Sequence, residues 1–184
     1  MGKKGAETRF RLVAAARSLI ESRGYYGTGL NQVLEVGGAP RGSLYFHFPG
    51  GKDQLVAAAV EEAGVEIGAV IQGAEGGDAR EYLERLVELL GDRLEGSGWT
   101  AGCPVAGVAL DAASSNDAVQ RVCSGVYREW EALLRGRLAG YGHPEPERVA
   151  TAVLALVEGG MILSRTYRDR GPLRRVSDTM ATLV

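Results

Sequence analysis

Apolar positions recur at three- and four-residue spacing along most of the chain, and no stretch alternates strictly over a strand's length. That pattern predicts an all-α protein. Leu12, Val13, Ala16, Leu19 and Ile20 make the buried stripe of a first helix, with Thr8 placed to cap it and Gly24 to end it. Leu30, Val33 and Leu34 give a short second helix one apolar face. Gly37 and Gly38 then supply the positive φ that a sharp exit from a helix needs. Pro40 fits the first turn of a third helix, where its missing N–H costs nothing. Leu44 and Phe48, four apart, are that helix's inward side, which leaves Arg41, Ser43, Tyr45 and His47 facing outward. A long helix follows from about Lys52 to Gln72, carrying Leu55, Ala59, Ala63 and Ile67 on one side and broken by Gly73–Asp78. Tyr82 to Leu94, Pro104 to Leu110, Asn116 (as cap) to Leu138, Val149 to about Tyr167 and a short segment after Gly171-Pro172 complete the series.

The short helix, glycine turn and second short helix between Leu30 and Phe48 form a helix-turn-helix, whose second member is the right size for a major groove. On that member Arg41 carries a planar multi-donor head suited to guanine O6 and N7, a pairing worth ~1–3 kcal/mol of discrimination when bidentate. Ser43 can bond a base edge or a phosphate, and Gly42 lets the backbone come close. Lys52, with the amides around it, opens a helix, a natural anion site. The rings of Tyr45 and His47 could also serve as packing.

From Thr8 to Leu55 the chain resembles the DNA-binding domain of the TetR family of transcriptional regulators. The elements of the resemblance are Glu21-Ser22-Arg23-Gly24-Tyr25, Thr28, Gly42-Ser43-Leu44-Tyr45-Phe46-His47-Phe48 and Lys52. Gly102-Cys103-Pro104-Val105-Ala106, together with Phe48-Pro49-Gly50-Gly51-Lys52, is similar to the LmrA/YxaF-type branch. Pro40 stands where Ser is common in the family, which bears on the operator sequence and not on the fold. The resemblance implies that Thr28, Tyr45, His47 and Lys52 contact phosphates, contacts that fix register without carrying sequence information. It also implies a homodimer paired through its C-terminal helices.

Charge changes the picture by its distribution. The chain as a whole carries −2, but the residues through Val56 hold eight basic and four acidic groups, a net +4, and the remainder carries −6. A basic head on an acidic body is the footprint of a DNA-binding module joined to something else. At 184 residues and 45% apolar the chain can bury a real core. Its apolar runs are interrupted short of the ~18 residues a membrane span needs, and the basic N-terminus lacks a signal peptide's apolar core. Two cysteines make no disulfide framework. A cytoplasmic protein without a membrane partner is expected.

Other chemistry finds little support. Phe48 to Asp53 glances at a phosphate-binding loop but lacks its first glycine and has Asp53 where a hydroxyl would hold magnesium. His47 and His143 are distant in sequence and suggest no metal site. No serine sits in a nucleophile elbow, and Glu158 reads as a lone carboxylate without a mechanism. No enzyme activity or cofactor is expected.

The expected organisation is a three-helix DNA-binding head, residues 1–51, and a helical effector-binding and dimerisation body, residues 52–184. Trp99, Cys103, Val105, Val108, Tyr127, Trp130, Leu134 and Met161 are the candidates to line a small-molecule site between helices, although each could equally be ordinary core. The neutral, apolar setting of Cys103 gives no reason for a reactive thiolate. The function expected is a dimeric repressor that leaves double-stranded operator DNA when an apolar or aromatic effector binds. A DNA-binding regulator without a ligand is the alternative.

Overall fold

Nine α-helices and no strand form among residues 3–184, the part of the chain that the computed structural model describes. They are α1 Lys3–Arg23, α2 Leu30–Val36, α3 Arg41–His47, α4 Gly51–Gly73, α5 Ala79–Gly96, α6 Pro104–Ala112, α7 Asp117–Gly140, α8 Pro146–Tyr167 and α9 Gly171–Met180. Apolar spacing located most of them and Gly171-Pro172 the last, and side-chain chemistry sets several of the ends. Asp78 caps α5 by accepting from the Glu81 amide at 2.8 Å. Asn116 caps α7, its Oδ1 accepting from Ala118 and Val119 at 3.1 Å each.

Two local expectations change. α1 begins before Thr8, whose hydroxyl donates back to the Lys4 carbonyl at 3.0 Å from within the helix instead of capping it. Pro40 is the residue before α3, extended at φ −69° and ψ 150°, and so it sets the entry angle from outside the first turn.

The chain divides into two compact units. The first runs up to Ala63 and takes in Pro104–Val126. In it α1 packs against α2, α3 and α6, around a core that includes Leu12, Ile20, Val33, Leu44, Phe48, Leu55, Val105 and Val108. The second comprises Gly64–Cys103 and Tyr127–Val184. There α8 packs on α9, and both meet α5. The end of α4 is secured by polar groups on other helices: the Tyr82 hydroxyl donates to the Ile71 carbonyl at 3.1 Å, Arg137 to that of Ala74 at 2.7 Å, and the Trp130 indole to that of Gly64 at 2.9 Å. Burial pushes the Tyr82 hydroxyl up to about 12, so it remains a donor across the physiological range.

α8 comes nearest to testing the expectation that apolar runs are interrupted short of a membrane span. Its 22 residues include a window of mean hydropathy 1.4, long and apolar enough to cross one. Glu158, the hydroxyls and, toward the end of the helix, Arg165 interrupt that run. Within the second unit the helix buries Val149, Val153, Val157, Gly160 and Met161, and Ile162 and Leu163 remain about half exposed. Gly160 is needed inside the fold: a Cβ there would lie 3.1 Å from side-chain carbons of both Leu173 and Val176 on α9. Gly159 has open space beside it.

Candidate nucleic-acid interface

The turn between α2 and α3 closes by backbone bonds, Gly37 N–H to the Val33 carbonyl at 2.8 Å and Ala39 N–H to that of Leu34 at 3.0 Å. Only Gly38 of the pair takes a positive φ, +56°. Gly37 is helical and buried, and a Cβ on it would meet the Val33 and Arg11 carbonyl oxygens at 3.0 and 3.3 Å. The glycine pair therefore answers two separate demands, a left-handed corner and a close approach to α1. Val33, Leu44 and Phe48 are fully buried, which fixes the roll of α3 about its axis.

That roll exposes Arg41, Gly42, Tyr45 and Phe46 and leaves Ser43 and His47 half-buried. The Arg41 guanidinium donates to Asn31 Oδ1 on α2 at 2.8 Å. Both border a groove of about 280 Å³, with Gln32 and Tyr45 on its rim. A Cβ at Gly42 would meet nothing within 4 Å. The protein's own packing gives no reason for glycine there, although a helical glycine costs roughly 0.5–1 kcal/mol against alanine. Asn31 and Phe46 were not singled out by the sequence reading. Phe46 is 75% exposed and meets the His47 ring edge-on at 4.9 Å. By type an aromatic in a run already rich in rings looks like core, and only the four-residue spacing of Leu44 and Phe48 sets Phe46 apart from them.

Lys52 and Thr28 are placed differently from their neighbours. The Lys52 ammonium lies 4.3 Å from the centre of the Tyr25 ring, and burial draws its pKa below the ordinary lysine value. Tyr25 in turn donates its hydroxyl to Asp53, whose other oxygen accepts from Asn116 at 2.6 Å. These bonds hold the Asp53 carboxyl below its usual range. Burial first, and then the bond to Asp53, push the Tyr25 hydroxyl up to about 12. Asp111 of α6 accepts from the Tyr25 amide at 2.9 Å. Gly24, at φ +71°, leaves room for that carboxylate, since a Cβ would lie 2.4 Å from its oxygen. The Thr28 hydroxyl is buried and donates to the Gly24 carbonyl at 2.8 Å, so in this arrangement it braces the turn after α1.

A family model described as bacterial regulatory proteins, tetR family, matches residues 12–59. A second, the LmrA/YxaF-like C-terminal domain of transcriptional regulators, matches residues 79–179, more than half of the chain. The protein belongs to the TetR family of transcriptional regulators. It is 32% identical over 182 residues to the HTH-type transcriptional regulator LmrA of Bacillus subtilis (strain 168), covering 97% of each chain. To the uncharacterized HTH-type regulator YxaF of the same organism it is 31% identical, covering 97% of this chain and 95% of the relative. Among solved structures, a TetR transcriptional regulator from Chloroflexus aurantiacus J-10-FL superposes with a TM-score of 0.82 at 28% identity, over 98% of this chain and 96% of the other. The regulatory protein TetR from Rhodobacter sphaeroides shares the fold at a TM-score of 0.85 and 19% identity, over 94% and 96%. TetR-family proteins bind DNA and are regulators, not enzymes, and the head built from α1, α2 and α3 is the family's helix-turn-helix.

The residues nominated for an effector site are placed in both units. Val105 and Val108 belong to the first and are wholly buried. Trp99, Cys103, Tyr127, Trp130, Leu134 and Met161 belong to the second. Trp130, Leu134 and Met161 are buried there. Tyr127 is half-buried, its ring edge-on to Trp130 at 5.6 Å. Trp99 is half-buried in a left-handed conformation, φ +65°, which non-glycine residues seldom take. Cys103 and Tyr127 both hydrogen-bond to Glu158, so the carboxylate that looked solitary in the sequence has two partners.

Proposed function

We propose that the protein is a homodimeric repressor that holds a pseudo-palindromic operator with two copies of α3 and lets it go when a small aromatic or apolar effector binds. In this reading residues 1–51 do the DNA binding and residues 52–184 the effector binding and pairing. The observation that carries it is the outer face of α3, where Arg41 is held by Asn31 beside a glycine that the fold itself does not require. Arg41 reads a guanine. Ser43 adds a base or phosphate contact, and Tyr45, His47 and Lys52 hold phosphates. Thr28 supports the turn and offers at most its backbone.

Pairing is supported by the outward side of α8, where Ala155, Gly159, Ile162 and Leu163 are exposed at helical spacing. Two such faces related by a twofold would bury one another, and half-sites would then lie about one turn, ~34 Å, or more apart. Release is supported by the continuity of α4, a 23-residue helix that carries the chain from one unit into the next. Reorienting it would change the separation of the recognition helices.

The test uses an operator selected from random duplexes and measured by fluorescence anisotropy. Arg41→Ala should bind operator and random DNA almost alike. Lys52→Ala should weaken binding to every sequence and lower the salt slope by about one unit. Equal binding of wild type to both DNAs would refute the reading. A thermal-shift screen separates release from ligand-independent regulation, because only an effector-bound native state is stabilised by small molecules. Operator must then weaken the effector by the same factor by which the effector weakens operator.

A further inference from the structure

Glu158 lies on α8 in the second unit, and no role in DNA binding or pairing uses it. Two of its contacts come from separate parts of that unit, the Cys103 thiol from the segment before α6 and the Tyr127 hydroxyl from α7. One carboxylate oxygen, Oε2, is buried and receives no hydrogen bond among the described residues. Tyr127, one of the two partners of Glu158, meets the Trp130 ring edge-on, and Met161 lies three residues further along α8. Gly102, next to Cys103, is close to Arg165 on the same helix; a Cβ there would be 2.7 Å from its Nη1. The segment before α6 is thus drawn against α8 at two points, seven residues apart on one helical face.

A buried acceptor without a donor is destabilising by roughly 1–3 kcal/mol, and more when charged. A packing role does not need such a group, since a methionine would fill the space without the cost. A recognition role does need it, because a site built to receive a donor discriminates strongly against analogues that lack one. We propose that Glu158 is the polar anchor of the effector site, accepting a hydrogen bond at Oε2 from an N–H or O–H group carried on an aromatic frame, with Tyr127 and Cys103 holding the carboxyl in place. This rests on the reading of the body as effector-binding and names the chemistry that the effector must carry. Cys103 is a donor in this arrangement, which makes it a positioning residue.

Three probes of one frame test the proposal on the full-length protein: 1-naphthylmethylammonium, 1-naphthol and 1-methylnaphthalene, titrated by calorimetry and by tryptophan fluorescence. Wild type should bind at least one donor-bearing probe about tenfold or more tighter than 1-methylnaphthalene. The ammonium and hydroxyl arms show which donor is preferred. Glu158→Met should abolish the preference, the donor-bearing probes binding no tighter than 1-methylnaphthalene. Glu158→Gln, which keeps an acceptor but no charge, should retain a preference for the hydroxyl and lose one for the ammonium. A cooperative thermal melt of Glu158→Met, run beside wild type, guards against misreading a folding defect. Equal binding of the three probes, a preference surviving in Glu158→Met, or no binding by any probe would overturn the anchor. Operator anisotropy separates this from the underlying reading. Release by all three probes alike removes the anchor but keeps an effector-responsive repressor, whereas donor-selective binding without release keeps the anchor and removes the repressor switch.

Discussion

At the scale of single residues, the two hydrogen-bonded carboxylates Asp53 and Glu158 have opposite pH signatures. Asp53 receives hydrogen bonds from Tyr25 and Asn116, which lower its pKa. Its stabilising effect is therefore complete above the ordinary value of 3.8 and is lost as pH falls through the lowered folded value. Asp53→Asn should be less stable than wild type at neutral pH, and the gap should close below about pH 4. Glu158 is shifted upward, chiefly because burial disfavours its charge, with Cys103 and Tyr127 partly offsetting that. Its cost is absent below the ordinary 4.5 and grows as pH rises through the folded value. Glu158→Gln should then gain stability over wild type with rising pH. Denaturant melts at about pH 4 and 7.5 check the sign for Glu158, and melts at about pH 3 and 7.5 the sign for Asp53; parallel behaviour of the two variants would contradict the assignment.

At the scale of helices, glycines of similar appearance have different tasks. Gly136 in α7 has nothing within 4 Å of its would-be Cβ, so Gly136→Ala should stabilise by roughly 0.5–1 kcal/mol through helix propensity. Gly160 sits against Leu173 and Val176 at 3.1 Å, and Gly160→Ala should cost ~1 kcal/mol or more by overpacking the α8–α9 contact. Gly24 combines φ +71° with the Asp111 carboxylate. Gly24→Ala should be worse than Gly160→Ala, at ~2 kcal/mol or more, since the backbone is strained and the Asp111 bond to the Tyr25 amide must give way. Chemical denaturation of the three variants gives the order directly. A loss of stability in Gly136→Ala would show that α7 is covered on that side.

At the scale of the whole molecule, the proposed pairing depends on the outer face of α8. Leu163→Glu puts a charge on an exposed position within one chain, so the fold should survive while association fails. Light scattering at micromolar concentration should report a dimer for wild type and a monomer for the variant. The variant should also lose most of its operator affinity, because one head alone reads half a site. A wild-type monomer, or a variant that still pairs, would move the interface elsewhere.

The sequence by itself determined the helical class, the order of the helices and the outline of the DNA-binding head, because each rests on local spacing: 3.6-residue periodicity, a glycine corner, an asparagine cap. Leu44 and Phe48 four apart were enough to orient α3 and to turn Arg41 outward. Tertiary structure decided what distant residues do to one another. Asn31 supports Arg41, Asp111 and Asn116 meet the Tyr25–Asp53 pair, and Cys103 and Tyr127 meet Glu158, all across separations that no periodicity encodes. It also decided burial where side-chain type is ambiguous. Thr28 turned inward because its hydroxyl found the Gly24 carbonyl, while Phe46 turned outward because Leu44 and Phe48 had already fixed the roll of α3. The adjacent glycines of α8 parted company for the same reason. One of them faces α9 and the other faces open space, and only the packing of neighbouring helices can tell two identical residues apart.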